Sequence, residues 1–507
     1  MKPSAFHAIA CAAAAGGLAA LTLSAAAAPA KRIAVLTDAK VPVFTSAAIA
    51  RNWGDAEVGE GHYAQAAQAY FQEAALREKL GDTQGAEVER RRAWRWDTTI
   101  VAGIPVQADP DSASDAPLAK LEPASGCLIG ALDSLGESHS FPGESDADSF
   151  ADRIGRPVAV AFRYIRYGQP FPFAWAHAQA QKGRAIELAM EPYDIYAVTD
   201  DDYLEGFASD LNQSGADCFL RFGGEMNGAW APWGKDPDAY KRAFRVVHDV
   251  MAHFAPRCAM VWAPDMEPLD KIDQYYPGDD VVDWVGLSLY LVKYYDNDKN
   301  EPGWQDSPEV YIDPFYKKYA ARKPMCLVEC GVTRQAAIDG GQDCDAYAAA
   351  RISDLLSAIK LRYPRLKMLC WFDRDTLDGE DIARRLNDFS LPPGSQALDA
   401  FKTAVADPYF LSQMPDSDAQ LTTYEPLESS LPGNFGGALS LSITSYCLHP
   451  QVFVTQDGQT EQVHRPYDIS LPNASGPVTV TVKDDQGRIA KTVTYAAPPA
   501  NFLASAH

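Results

Sequence analysis

The residues best suited to chemistry lie in one stretch. Arg221 to Gly234 reads Arg-Phe-Gly-Gly-Glu-Met-Asn-Gly-Ala-Trp-Ala-Pro-Trp-Gly. Cys218-Phe219-Leu220 before it is apolar and strand-like, and Asp236-Pro237 after it supplies a helix cap with Pro in the first turn. The pattern is a buried strand, a loop and a helix. Side chains alternate along a strand, so Arg221, Gly223 and Glu225 are expected on one face. A carboxylate at a strand end, beside an Arg and a loop holding Trp230 and Trp233, suits sugar chemistry: indole faces stack on pyranose rings, and a partly buried Glu can serve as an acid. A plain ion pair to Arg221 above core indoles would use the same residues. What separates the two readings is a second carboxylate, and Met325-Cys326-Leu327-Val328-Glu329-Cys330-Gly331 offers one at the end of another apolar run. Two strands that each end in Glu meet the paired-carboxylate requirement of glycoside hydrolysis.

The segment Arg-x-x-x-Glu-Met-Asn-Gly-x-Trp-x-Pro-Trp-Gly, followed by a helix with Tyr240, Phe244 and Arg245, resembles the acid/base segment of family 26 glycoside hydrolases. Lys323-Pro324 leading to Glu329-x-Gly331 is similar to that family's nucleophile segment. The resemblance covers about residues 125 to 405. It implies a retaining enzyme on a (β/α)8 barrel, with Glu225 as acid/base, Glu329 as nucleophile and no metal or other cofactor. It also implies that Tyr290 hydrogen-bonds the nucleophile and that Trp371 forms a sugar platform. Arg221, Asn227, Trp230, Trp233, Glu191 and Trp262 complete the candidate substrate-binding set. One position departs from the family. His usually precedes the acid, and Gly224 stands there in this chain. Weak action on plain β-1,4-mannan is therefore expected.

These residues need a scaffold to hold them. From Gly126 the chain alternates apolar strands and helices: Cys127–Leu132, Val158–Tyr164, Ala185–Met190, Cys218–Gly223, Ala259–Ala263, Trp284–Leu289, Met325–Val328 and Lys367–Phe372 are the candidate strands. Eight strands interleaved with helices predict an α/β fold, a closed (β/α)8 TIM barrel, with the site at the C-terminal ends of its strands. Ahead of it, His62 to Trp94 has helical spacing broken at Gly81-Asp82, which predicts one tetratricopeptide-like hairpin packed on the barrel. Behind it, short alternating runs from Leu439 to Tyr495 predict a small C-terminal β-sandwich. The expected division is an export signal over 1–30, a helical-hairpin region over 31–110, a linker over 111–124, the barrel over 125–413, and a linker plus sandwich over 414–507.

At 507 residues with a net charge of −23, the chain is large, multidomain and acidic. That charge argues against nucleic acid and anionic membrane surfaces as partners and favours a neutral glycan. Lys2, the Ala-rich run Ile9 to Leu23 and the small residues at Ala26 to Ala30 form a bacterial-type export signal, so a secreted or periplasmic protein is expected. No stretch reads as a membrane span. The nine cysteines fit no zinc spacing, and most lie in strand-like segments as small apolar residues; Cys330 and Cys344 are the one pair placed to bridge a loop. The functional expectation is an endo-β-glycosidase acting on a polysaccharide or oligosaccharide. The rival is a carbohydrate-binding or exopolysaccharide-assembly protein with little turnover, with a protein partner on the helical hairpin as a further role for that region.

Overall fold

The computed structural model describes residues 41–108, 117–132, 146–377, 386–416, 419–428, 431, 435–474 and 476–496. The expected export signal and residues 111–116 of the expected linker lie outside the described residues. Eight parallel strands close into a barrel. Strands one to eight are Cys127–Leu132, Val160–Arg166, Ala185–Glu191, Cys218–Phe222, Cys258–Trp262, Trp284–Leu291, Met325–Val332 and Leu366–Trp371, and strand eight pairs with strand one. They read as near-continuous apolar runs because both faces are covered. Leu128, Phe162, Ala185, Phe219, Val261, Trp284, Cys326 and Met368 fill the interior. Ile129, Leu188, Leu220, Met260, Leu287, Leu327 and Leu369 face outward into a second core shared with the surrounding helices. Among those helices, Pro237–Phe254 is started by the Asp236 carboxylate, which accepts from the N–H groups of Asp238 and Ala239.

The helical region holds three helices where one hairpin was expected: Ala47–Glu60, Tyr63–Lys79 and Thr83–Trp96. The first escapes a periodicity reading because its sequence is largely Ala, Gly and charge. Gly54 is needed there, since a Cβ would lie 2.7 Å from the Tyr70 ring. This region docks on the barrel, with Trp94 entering the outer core and Arg95 bonding Asp306 at 2.6 and 3.0 Å.

The C-terminal part forms two four-stranded antiparallel sheets over a shared core that includes Leu439, Leu441, Val452, Val454, Val480 and Tyr495. One of its strands comes from the other side of the barrel. Thr98–Gln107, expected within the helical region, lies between Thr422–Leu427 and Phe435–Ser445. Its β-branched residues suit a half-buried strand, and Ala102 and Ile104 join the sandwich core. Cys330 and Cys344 are both free thiols: Cys330 packs in the outer core, and Cys344 turns to the Thr333 and Arg334 carbonyls. Among the described residues, no helix is long and apolar enough to cross a membrane.

Candidate active site

Glu329 owes its direction to a bulge. Cys326 and Val328 both face the barrel interior, so simple alternation would turn Glu329 outward. Strand seven instead carries one extra residue. Against strand six, Leu287 pairs with Leu327 and Ser288 with Glu329; against strand eight, Leu369 pairs with Leu327 and Trp371 with Cys330. The insertion re-aims Glu329 into the mouth. There its Oε1 accepts a hydrogen bond from the Tyr164 hydroxyl at 2.6 Å and another from the Arg221 guanidinium, while Oε2 accepts from the Tyr290 hydroxyl at 2.6 Å. Burial and the nearby Glu329 charge raise both phenols well above their ordinary range, so they stay protonated donors. Three donors, one of them cationic, hold a nearly buried carboxylate in one orientation.

Glu225 is presented differently. Strand four ends at Phe222, and both Gly223 (φ 55°) and Glu225 (φ 57°) adopt left-handed backbone. The expected alternation therefore stops at Arg221, and a turn rather than a strand face aims the acid. Left-handed backbone costs a non-glycine residue about 1–2 kcal/mol. The surroundings offset this: the Glu225 N–H donates to the Ala263 carbonyl at 2.8 Å, and the Trp230 indole donates to Glu225 Oε2 at 2.7 Å. Gly223 cannot be replaced freely, because a Cβ there would meet the Tyr240 ring at 2.9 Å. Burial lifts the Glu225 carboxyl above its ordinary value and the charge of Glu329 lifts it further, against opposing pulls from Arg221 and the Trp230 indole. One mouth thus holds a fixed carboxylate and a carboxyl that keeps its proton to higher pH, which is the division of labour glycoside hydrolysis needs.

The remaining candidates divide by the face they occupy. Trp230 is 59% exposed above Glu225, open to a sugar ring. Glu191 continues the inward phase of Ala185 and Ala189 at the rim, where it accepts from the Tyr193 hydroxyl at 3.2 Å. Three others serve the scaffold. Arg221 is buried and acts through Glu329, not through a sugar. Asn227 is buried and ties the acid loop to the carbonyls of Asp265 and Glu267, both at 3.0 Å. Trp233 is buried and donates to the Gly224 carbonyl at 2.8 Å. Two expectations are corrected. Trp262 and Trp371 are both 0% exposed and point outward, Trp262 against Tyr276 and Tyr319 and Trp371 against Phe401. Neither can form a platform.

The aromatic at the mouth of strand eight is Phe372, whose ring stands 5.6 Å from that of Tyr290 and packs toward the interior core. Phe372 and Tyr164 were both legible as continuations of an inward phase, Met368–Cys370–372 and Phe162–164. Asp265 joins the site as well, its carboxyl raised well above the usual range by burial and then by Glu225 and Glu329. Among the described residues, the one grouping with metal-like spacing is Glu57, Glu60 and His62 on the helical region, where His62 is bonded to Glu57 at 2.7 Å.

Residues 192–302 match the model of glycosyl hydrolase family 26, a span that includes Glu225 and Tyr290 and stops short of Glu329. Endoglucanase H of Acetivibrio thermocellus is 23% identical over 282 residues, 52% of this chain and 29% of that protein. Mannan endo-1,4-beta-mannosidase A and B of Caldalkalibacillus mannanilyticus is 27% identical over 177 residues, 32% of this chain and 30% of that protein. The chain thus spans under a third of the length of these relatives. Among solved structures, a modular endo-beta-1,4-mannanase from Cellulomonas fimi aligns at 17% identity and a TM-score of 0.42, over 75% of this chain and 96% of that one. A family 26 β-mannanase from Bacteroides ovatus aligns at 17% and 0.39, over 58% and 92%. The likeness to family 26 glycosyl hydrolases thus rests on part of the barrel, and the likeness to these two named enzymes on part of their length.

Proposed function

We propose that the chain is an exported retaining endo-β-glycosidase that cleaves a neutral polysaccharide by double displacement. The observation that carries this reading is the unequal pair: Glu329 fixed by three donors, and Glu225 at the same mouth with its carboxyl raised above its ordinary value by burial and by the Glu329 charge. Glu329 attacks the anomeric carbon as Glu225 gives its proton to the departing oxygen. The resulting glycosyl–Glu329 ester is then hydrolysed by a water that Glu225, now ionised, deprotonates. Trp230 supplies a face for a sugar beside the acid. The names of the relatives point to a glucan or a β-1,4-mannan as the class of polymer. Gly224 argues against plain mannan, since it offers no polar contact next to the acid.

The test is release of reducing ends from a panel of mannan, glucan, xylan and bacterial exopolysaccharides, with NMR of the first-formed anomer. Retention on one polymer supports the reading; inversion or inertness on all of them defeats it. Gly224 also favours a second reading, a carbohydrate-binding or exopolysaccharide-assembly protein with little turnover. That reading expects glycan binding on the same panel without new reducing ends.

A further inference from the structure

Below the site, the barrel interior holds a titratable group that the two-step reaction does not use. Glu187 sits midway along strand three with its side chain inward, between Ala185 and Ala189, and is fully buried. Neither of its carboxyl oxygens has a hydrogen-bond partner among the described residues. Its nearest cation is Arg221, with Nε 3.6 Å from Oε1. Arg221 is itself buried, stands over the Phe162 and Tyr164 rings at 5.1 and 5.6 Å, and gives Nη2 to Glu329. Its Nε and Nη1 make no hydrogen bond. One guanidinium therefore lies between two carboxyls: the nucleophile above, and below it a buried carboxyl whose polar neighbours are Arg221 and the Cys370 thiol.

We propose that Glu187 is a positioning residue: as the neutral acid it leaves Arg221 committed to Glu329, and when its proton is lost to alkaline solvent Arg221 is shared and the nucleophile is held less well. This rests on the assignment of Glu329 as nucleophile. A carboxylate with no hydrogen bonds in an apolar interior is far costlier than the neutral acid. Burial accordingly pushes Glu187 up to about 8, against the pull of Arg221. The other titratable groups around it are Glu329 and the thiols of Cys218, Cys326, Cys330 and Cys370, and burial raises each thiol well above its ordinary range, so they remain uncharged.

The experiment is the pH profile of kcat/KM on a dinitrophenyl glycoside of the preferred sugar, whose leaving group needs no proton from Glu225. The readout is the ratio of the value at pH 9.5 to that at pH 7, in which any general loss of activity cancels. For the wild type we expect a fall of roughly tenfold or more, and for Glu187→Gln a fall under about threefold, because the amide cannot ionise. Glu187→Met, apolar and of similar length, should behave as the amide does. The same alkaline fall in both variants, or none in the wild type, overturns the proposal.

Thermal melts give an independent readout. A raised native pKa means the folded state holds a proton that the unfolded state releases, so its stabilisation is lost as pH rises toward and through 8. Between pH 6 and 9 the wild-type Tm should fall more steeply than that of Glu187→Gln; equal slopes overturn the proposal. Failure of the catalytic reading looks different: the wild type turns over no glycoside at any pH.

Discussion

The ends of strands four and seven each deliver a glutamate to the same mouth, by opposite means. Strand seven stays a strand, absorbs one extra residue, and locks Glu329 with three hydrogen bonds. Strand four stops, reverses its backbone at Gly223, and presents Glu225 from a loop, with one indole on its carboxyl. A group that must stay anionic and aimed benefits from many donors. A group that must give and regain a proton would be hindered by them, since each donor favours the ionised form.

The largest effect that would break this contrast is at Glu329. Glu329→Ala should bring turnover to background on every glycoside, and azide should restore part of it with inverted product, entering from the vacated side. Glu225→Ala should lose about 10²–10⁴-fold on polymer, the usual scale of acid–base help. It should keep much of the first step on a dinitrophenyl glycoside, giving a burst as the ester accumulates. A burst from Glu329→Ala instead would reverse the two roles.

Smaller changes sharpen the comparison. Tyr290→Phe or Tyr164→Phe each removes one donor to an ionised group, commonly worth about 1.5–3 kcal/mol, so kcat/KM should fall roughly 10- to 100-fold without loss of fold. Steady-state kinetics with a melting curve checks this. Removing the Trp230 indole donor with Trp230→Phe should raise the Glu225 pKa further and move the alkaline limb on polymer to higher pH, by about one unit or less. The sign follows from the indole hydrogen bond, which favours the carboxylate. A limb that moves down would contradict it. Gly223→Ala should cost about 1–3 kcal/mol in a denaturant melt, from its positive φ and the approach of Tyr240.

The barrel was legible because buried parallel strands write themselves as apolar runs, and the helix cap at Asp236 because its chemistry is local. The two glutamates were legible as residue types at strand ends. Their presentation was not: the bulge at Glu329 and the turn at Glu225 are fixed by neighbours that no local pattern reports. The same limit explains Trp371, where a one-residue difference in phase separates the outer core from the mouth and gives the mouth position to Phe372. Read from sequence, Thr98–Gln107 falls within the helical region because its strand partners lie far along the chain.

That strand has a consequence for how the protein is made. It reaches its place only when Phe435–Ser445 arrives; Thr98 and Ser445, whose hydroxyls end 3.3 Å apart, are separated by 347 positions. At ~5–20 residues per second, an early-emerging edge waits roughly 20–70 s for its neighbour during synthesis. The barrel is thus an insert within the sandwich, able to fold while the sandwich is still incomplete. A chain ended after the barrel would leave Thr98–Gln107 without either flanking strand, an open edge inviting pairing with other copies. Cutting this protein down to its barrel therefore means removing both ends together, and expression of a barrel trimmed only at its C-terminus should yield aggregate where one trimmed at both ends stays in solution.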